Sequence, residues 1–179
     1  MTTKILFAGF GGQGLLFVGK FFAYKGLIEG KYVSWLPSYG PEMRGGTANC
    51  NVIISDEPVG SPIVSNPDIL VAMNLPSLDK YEDSVVPGGT IFVESSLIER
   101  KVKRTDVTVH YIPATMLAGE IGAANLANMV IGGLMMRECP DLSQENIREA
   151  LAKVVSAKRP ELAELNYKAI EKGIAFTEK

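Results

Sequence analysis

The chain is poor in the side chains that most often carry metal or redox chemistry. It has one histidine, His110, and two cysteines, Cys50 and Cys139, in 179 residues. The cysteines are far apart and lack C-x-x-C spacing. With one histidine they cannot complete a zinc or iron–sulfur site within one chain. In a reducing compartment they read as buried apolar side chains and not as a disulfide. His110 lies in the alternating run Val107–Ile112, where a lone histidine reads as structural. A basic excess is also missing. The formal net charge is −2 and no basic patch stands out, which leaves no electrostatic footing for nucleic acid. Residues 1–9 lack a secretory pattern, because a strand pattern begins at once. The longest nearly apolar run, Ile121 to Met136, contains Asn125 and Asn128 and is short for a membrane crossing. It reads as a buried helix. These absences predict a cytoplasmic protein without a membrane contact.

What is present is ample apolar residue for a core, 46%, with charged residues at 21%. Strand and helix patterns alternate, with no internal repeat and no low-complexity linker. Strands are expected at about 3–9, 32–36, 47–55, 69–73, 90–94 and 107–112. Ile69–Met73 is apolar throughout and reads as a central parallel strand. Helices are expected at about 13–29 and 124–138, with a short one from Asn74 to about Asp83. Ser143 is the expected N-cap of a helix to about Val155. A last helix opens at Arg159-Pro160-Glu161, with Leu162, Leu165, Ala169, Ile170 and Ile174 on one face. The expected fold is a three-layer, Rossmann-like α/β domain over residues 1–179. Its sheet is mainly parallel, and helices at about 143–176 form its carboxyl-terminal tail.

Two loops are the candidates for chemistry. The first is Gly9-Phe10-Gly11-Gly12-Gln13-Gly14, between the first strand and the first helix. Such a turn puts backbone N–H groups and a positive helix end at the carboxyl edge of a sheet, ready for an anion. Gly9 and Gly11 are expected to permit the tight turn or positive φ, and Gly14 the close approach of helix to strand. The spacing fits a dinucleotide fingerprint, yet the second strand ends in Pro37-Ser38-Tyr39, without the acid that would hold a ribose. A turn kept only for packing stays open beside the ligand reading. The second loop is Pro37–Gly46. There Arg44 adjoins Gly45 and Gly46, which would let a ligand or partner backbone approach a planar guanidinium suited to carboxylate or phosphate. An intrachain pair with Glu42, or a solvated charge, is the alternative.

At these loops the chain resembles the gamma subunit, or the equivalent domain of fused versions, of the 2-oxoacid:ferredoxin oxidoreductases. The matching pieces are Gly9–Gly14, Pro37–Gly46, Ser55–Pro62, Pro67-Asp68 and Ala127–Met129, in family order across about residues 4–135. The resemblance implies a complex that oxidatively decarboxylates pyruvate, 2-oxoisovalerate or 2-oxoglutarate on thiamine diphosphate and magnesium. Electrons pass through iron–sulfur clusters to ferredoxin, and the acyl group goes to coenzyme A. Alpha and beta subunits, with a ferredoxin-like delta subunit, are the implied partners. This chain would shape the interface and the coenzyme A region through Gly11, Gly12, Gln13, Gly14, Ser38, Tyr39, Arg44, Gly45 and Gly46. No residue here is expected to be catalytic or to bind metal. No thiamine motif and no set of cluster cysteines is visible, which suits a subunit whose cofactors sit on its partners. Indolepyruvate oxidoreductases carry a similar domain, so the 2-oxoacid is left open. A purely structural subunit and a stand-alone nucleotide-binding protein are the competing readings.

Overall fold

Thr2–Phe10 forms β1, the strand on which the others are ordered. The structure, a computed structural model, describes residues 1–38 and 47–178. After β1 come α1 (Leu15–Ile28), β2 (Tyr32–Pro37), β3 (Thr47–Ser55), β4 (Ile69–Ala72) and α2 (Leu75–Tyr81). A turn of 3-10 helix at Glu82–Ser84 precedes β5 (Thr90–Glu94) and β6 (Thr108–Ile112). The remainder is helical: α3 (Ala114–Glu120), α4 (Ala127–Glu138), α5 (Ile147–Val154) and α6 (Pro160–Ala175).

The strands join in one sheet in the order β2-β3-β1-β4-β5-β6. β1, β4, β5 and β6 are parallel, as the βαβ pattern requires. β3 runs antiparallel to both β1 and β2, so β2 again points with β1. The sheet is thus mixed, with a single reversed strand inserted between β1 and β2. All four residues of β4 are buried, because helices or loops cover both of its faces.

The alternation along β1 sorts the core into two layers. Ile5 and Phe7 face a large cluster with Val52, Val71, Phe92 and the apolar sides of α1, α3, α4, α5 and α6. Leu6 and Ala8 face a smaller one with Leu70, Ile91, Val93, Leu78 of α2 and Ile98. α4 is buried from Ala127 to Met136, in keeping with its apolar composition. α6 crosses it at very short range. A Cβ on Gly133 would overlap the Ile170 carbonyl oxygen, and one on Gly173 would overlap that of Val130. The buried face of α6 is therefore Asn166, Ala169, Ile170 and Gly173, while Leu162 and Leu165 of the expected stripe are only half-buried.

Ser143 does not cap α5. That helix starts later, at Ile147, after Asn146 in a left-handed conformation with φ 57°. The Ser143 hydroxyl is engaged elsewhere, accepting from Lys25 Nζ at 2.9 Å and donating to Glu29 Oε1 at 2.7 Å. Lys25 also pairs with Glu29, so a buried ammonium at the end of α1 is satisfied by groups from two segments. Cys50 and Cys139 are free thiols inside the protein. Burial pushes each up to about 12, Cys50 in spite of the Trp35 indole beside it. His110 stacks on Phe92 with ring centroids 5.1 Å apart, and its Nε2 lies 3.9 Å from Glu138. Among the described residues no helix is long and apolar enough to cross a membrane.

Candidate functional site at the carboxyl edge of the sheet

The turn after β1 is built by backbone closure and by one side chain. Gln13 N donates to Phe10 O at 3.3 Å, and Gly12 inside this turn takes φ 89°. Gly14 follows with φ 73° and stands as the N-cap of α1. Positive φ thus falls at Gly12 and Gly14 rather than at Gly9 and Gly11, because the sharp reversal comes one residue later than the spacing suggests. Gly9 is constrained by space: a Cβ there would overlap the Gln13 side chain and come within 2.8 Å of Met73 Cβ. Gly14 approaches the Asn128 side chain of α4 and not a strand. The close helix–strand approach belongs to Gly19 and Gly26, which face Cys50 and Val33.

Gln13 serves as a brace. Its Oε1 accepts from Phe10 N at 2.6 Å and its Nε2 donates to Met73 O at 3.0 Å, so the turn is tied to the end of β4. On the other side Asn128 Nδ2 donates to Gly14 O at 2.9 Å. Asn128 is buried, and its Oδ1 has no partner among the described atoms. Its role is one that sequence reading did not assign. The available signal was a lone amide in a helix apolar almost all round. The first turn of α1 has no acidic side chain and Gly14 provides no side-chain cap, so among the described residues no side chain caps its leading N–H groups, the kind of donors that suit an anion.

The flanks of the second loop lie at the same edge. Thr47 pairs with Phe10, Pro37 pairs with Cys50, and Ser38 N donates to Asn49 O at 2.9 Å. Ser38 is therefore carried at the carboxyl edge of the sheet, with β3 between its strand and the glycine turn. Tyr39, Arg44, Gly45 and Gly46 lie outside the described residues. An apolar cleft of about 290 Å³ opens beside the glycine turn, between Phe10, Gly12, Leu15, Phe17 and Ala48. It suits an uncharged part of a ligand or partner, next to the polar donors of the helix end.

Glu94 is a second residue that the sequence reading passed over. It ends β5 fully buried, and its carboxylate accepts from Ser96 N at 2.8 Å, Ala114 N at 3.0 Å, and Thr115 N and Oγ1 at 2.8 Å each. Its capacity is used in fixing the turn after β5 and the start of α3, so it holds the edge and offers nothing to a ligand. A larger cavity of about 360 Å³ lies at the opposite edge, near Thr3, Asp68, Thr90 and Asp141. Its acids are also engaged: Asp68 accepts from Lys4 N at 2.8 Å and Asp141 from Thr3 Oγ1 at 3.2 Å. In open α/β sheets ligands bind outside the carboxyl ends of the strands, which favours the glycine-turn edge. No group of three or more His, Cys, Asp or Glu side chains among the described residues could hold a metal ion.

The comparisons with known proteins agree with this architecture. The family model for pyruvate ferredoxin/flavodoxin oxidoreductase matches residues 4–176. A ketoisovalerate oxidoreductase subunit VorA of Methanothermobacter thermautotrophicus is 42% identical over 171 residues, which are 95% of this chain and 35% of that one. The chain thus spans about a third of the length of the VorA relatives it matches. The crystal structure of a keto/oxoacid ferredoxin oxidoreductase gamma subunit from Geobacter sulfurreducens superposes with a TM-score of 0.82. It is 31% identical, with 96% of this chain and 95% of that chain covered. A 2-oxoglutarate:ferredoxin oxidoreductase from Magnetococcus marinus, solved with 2-oxoglutarate, coenzyme A and succinyl-CoA, shares the fold. There the TM-score is 0.85 at 23% identity, over 99% of this chain and 32% of that chain. Carrying the glycine turn of β1 and the same α/β architecture over nearly its whole length, the chain belongs to the pyruvate ferredoxin/flavodoxin oxidoreductase family.

Proposed function

We propose that the chain works as the gamma-type subunit of a 2-oxoacid:ferredoxin oxidoreductase. The complex oxidatively decarboxylates a 2-oxoacid to an acyl-CoA and CO2 and passes the electrons to ferredoxin. The observation that carries this reading is the family match over residues 4–176, which includes the sequences of both loops. Thiamine diphosphate, magnesium and the iron–sulfur clusters belong in this reading to alpha, beta and delta partners. The two thiols of this chain are buried and held well above the usual thiol range, which makes them poor cluster ligands. The names among the comparisons cover pyruvate, ketoisovalerate and 2-oxoglutarate, so the 2-oxoacid itself stays unspecified.

The contribution of this chain is to the coenzyme A region. The N–H groups at the start of α1 and the guanidinium of Arg44 suit phosphate, and the apolar cleft by Phe10 suits the uncharged arm of the coenzyme. Gly11, Gly12, Gly14 and Ser38 belong to this region in the same reading, and Tyr39, Gly45 and Gly46 are assigned to it from the loop sequence alone. Gln13 acts by holding the turn, since both ends of its amide are engaged within the chain. That engagement is also what favours the second reading, a purely structural subunit.

The test is the reconstituted complex with Arg44→Ala, Arg44→Lys and Gln13→Ala, measured for turnover, subunit association and coenzyme A requirement. A charge-assisted contact of Arg44 is worth about 1.5–3 kcal/mol, so both Arg44 variants should lose roughly ten- to a hundredfold in binding or assembly. Lysine should not rescue, because it lacks the planar fork. Gln13→Ala should raise the apparent KM for coenzyme A with assembly intact. Wild-type behaviour of all three variants would leave the loops structural. Oxidation of a 2-oxoacid by the isolated chain would overturn the subunit reading itself.

A further inference from the structure

The outward side of α1 is not polar, as that of a surface helix usually is. Lys20, Tyr24 and Leu27 follow one another along it at helical spacing, and Leu27 is 54% exposed. Beside them runs β2, an edge strand that pairs with β3 alone and turns Val33 and Trp35 toward the helix. Together with Ala23 these residues line a groove of about 280 Å³. It shares no lining residue with the cleft at the glycine turn. Two glycines shape it. A Cβ on Gly26 would come within 2.9 Å of the Val33 side chain, and one on Gly19 would overlap Cys50 Sγ and lie 3.3 Å from Trp35 Nε1. The helix therefore settles against the sheet, which brings Tyr24 and Leu27 beside β2. The indole nitrogen of Trp35 is buried under α1, so the ring is fixed at one end while the residue as a whole stays half-buried. Trp35 is the only tryptophan of the chain.

We propose that this groove is a second ligand site, and that its ligand is a small apolar carboxylate, an aryl or branched-alkyl body with one anionic head. Apart from Lys20 the lining side chains are apolar or aromatic and none is acidic, so they favour an apolar body. Lys20 is the one charge among them. Its ammonium lies 6.0 Å from the centroid of the Tyr24 ring and makes no ion pair among the described residues, whereas Lys25, on the buried side of the helix, is neutralised by Glu29. A carboxylate at the Lys20 end supplies the missing countercharge, and the body behind it covers Tyr24, Leu27, Val33 and Trp35. Binding then removes from water apolar area that the fold leaves wet. The volume suits one ring with a short chain, at the lower end of the range for small-molecule pockets. A second copy of this chain or another polypeptide fits less well, because six lining residues are far from the roughly 20–30 a side of a stable interface. The site is independent of the oxidoreductase reading and holds or fails without it.

The test follows the fluorescence of Trp35 in the full chain, excited beyond the absorption of tyrosine and phenyl groups, as phenylacetate is added. Phenethyl alcohol, a similar body without the charge, is titrated in parallel. Phenylacetate should shift the emission saturably, with a Kd in the millimolar range expected of so small a ligand. Lys20→Gln should weaken it about three- to fivefold, the size of a half-exposed charge contact. The alcohol should bind more weakly than the acid, and equally to wild type and Lys20→Gln. Leu27→Asp, at an exposed position, should abolish the response to phenylacetate with the circular dichroism unchanged. A response of the folded chain that never saturates, equal affinity for acid and alcohol, or binding that survives Leu27→Asp overturns the site. Emission that shifts with protein concentration alone, together with a dimer in sedimentation, also overturns it, since the groove would then belong to a second copy.

Discussion

The side-chain amide of Asn128 donates to the main-chain carbonyl of Gly14, 114 positions earlier in the chain, at 2.9 Å. The contact closes the gap between the start of α4 and the start of α1, and it is possible only because Gly14 has no side chain. Gly14 O also accepts the first helical bond, from Val18 N at 3.0 Å, so it keeps a partner when the amide is removed.

Asn128→Ala should therefore cost only the net value of one buried hydrogen bond, about 0.5–1.5 kcal/mol. Gly14→Ala faces two penalties. A left-handed φ costs an L-residue about 1–2 kcal/mol, and the new methyl group would overlap the Asn128 amide. Urea unfolding of both single variants and the double variant separates these terms. The double variant should be less destabilised than the sum of the singles, because alanine at 128 makes room for the methyl group. Strict additivity would mean that the two residues do not meet as described.

The crossing of α4 and α6 makes a prediction of sign. In an exposed helix Gly→Ala stabilises by up to about 1 kcal/mol. Gly133→Ala and Gly173→Ala should instead destabilise, since each Cβ would strike a carbonyl of the facing helix, and overpacking costs about 1–3 kcal/mol. Thermal unfolding decides it. A raised Tm for either variant would show that the helices are less closely packed than this.

The two thiols should be silent in the native protein and should weaken it in alkali. Cys50 and Cys139 are pushed up to about 12, while in an unfolded chain a thiol ionises near ~8.5. The native state then binds more protons than the unfolded one in the interval between. The thiols' contribution is fully present below the unfolded value and is lost as pH rises toward about 12. Urea midpoints should be insensitive to these groups near pH 7 and should decline above about pH 8.5. Cys50→Ala should remove its share of that decline. Rapid labelling of the folded chain by a thiol reagent at pH 8 would contradict this burial.

Much of this architecture is legible in local sequence because local forces create it. The alternation along β3, the unbroken apolar run of β4 and the proline that opens α6 each define an element through side-chain periodicity or fixed backbone geometry. The same holds for the order of elements and for the position of the glycine turn. Other features depend on residues that meet only after folding. Nothing within Thr47–Ser55 dictates that β3 enters the sheet reversed, since an alternating strand can pair in either direction and the neighbours decide. Ser143 reads as a cap until Lys25 and Glu29, more than a hundred residues earlier, take its hydroxyl. Gly133 and Gly173 look like weak helix residues until the facing carbonyls show why no larger side chain fits. Gln13 and Asn128 look like ligand-binding or incidental amides. Only the tertiary structure assigns their hydrogen bonds to Met73, Phe10 and Gly14, because a buried amide takes whichever partners the packing brings within reach.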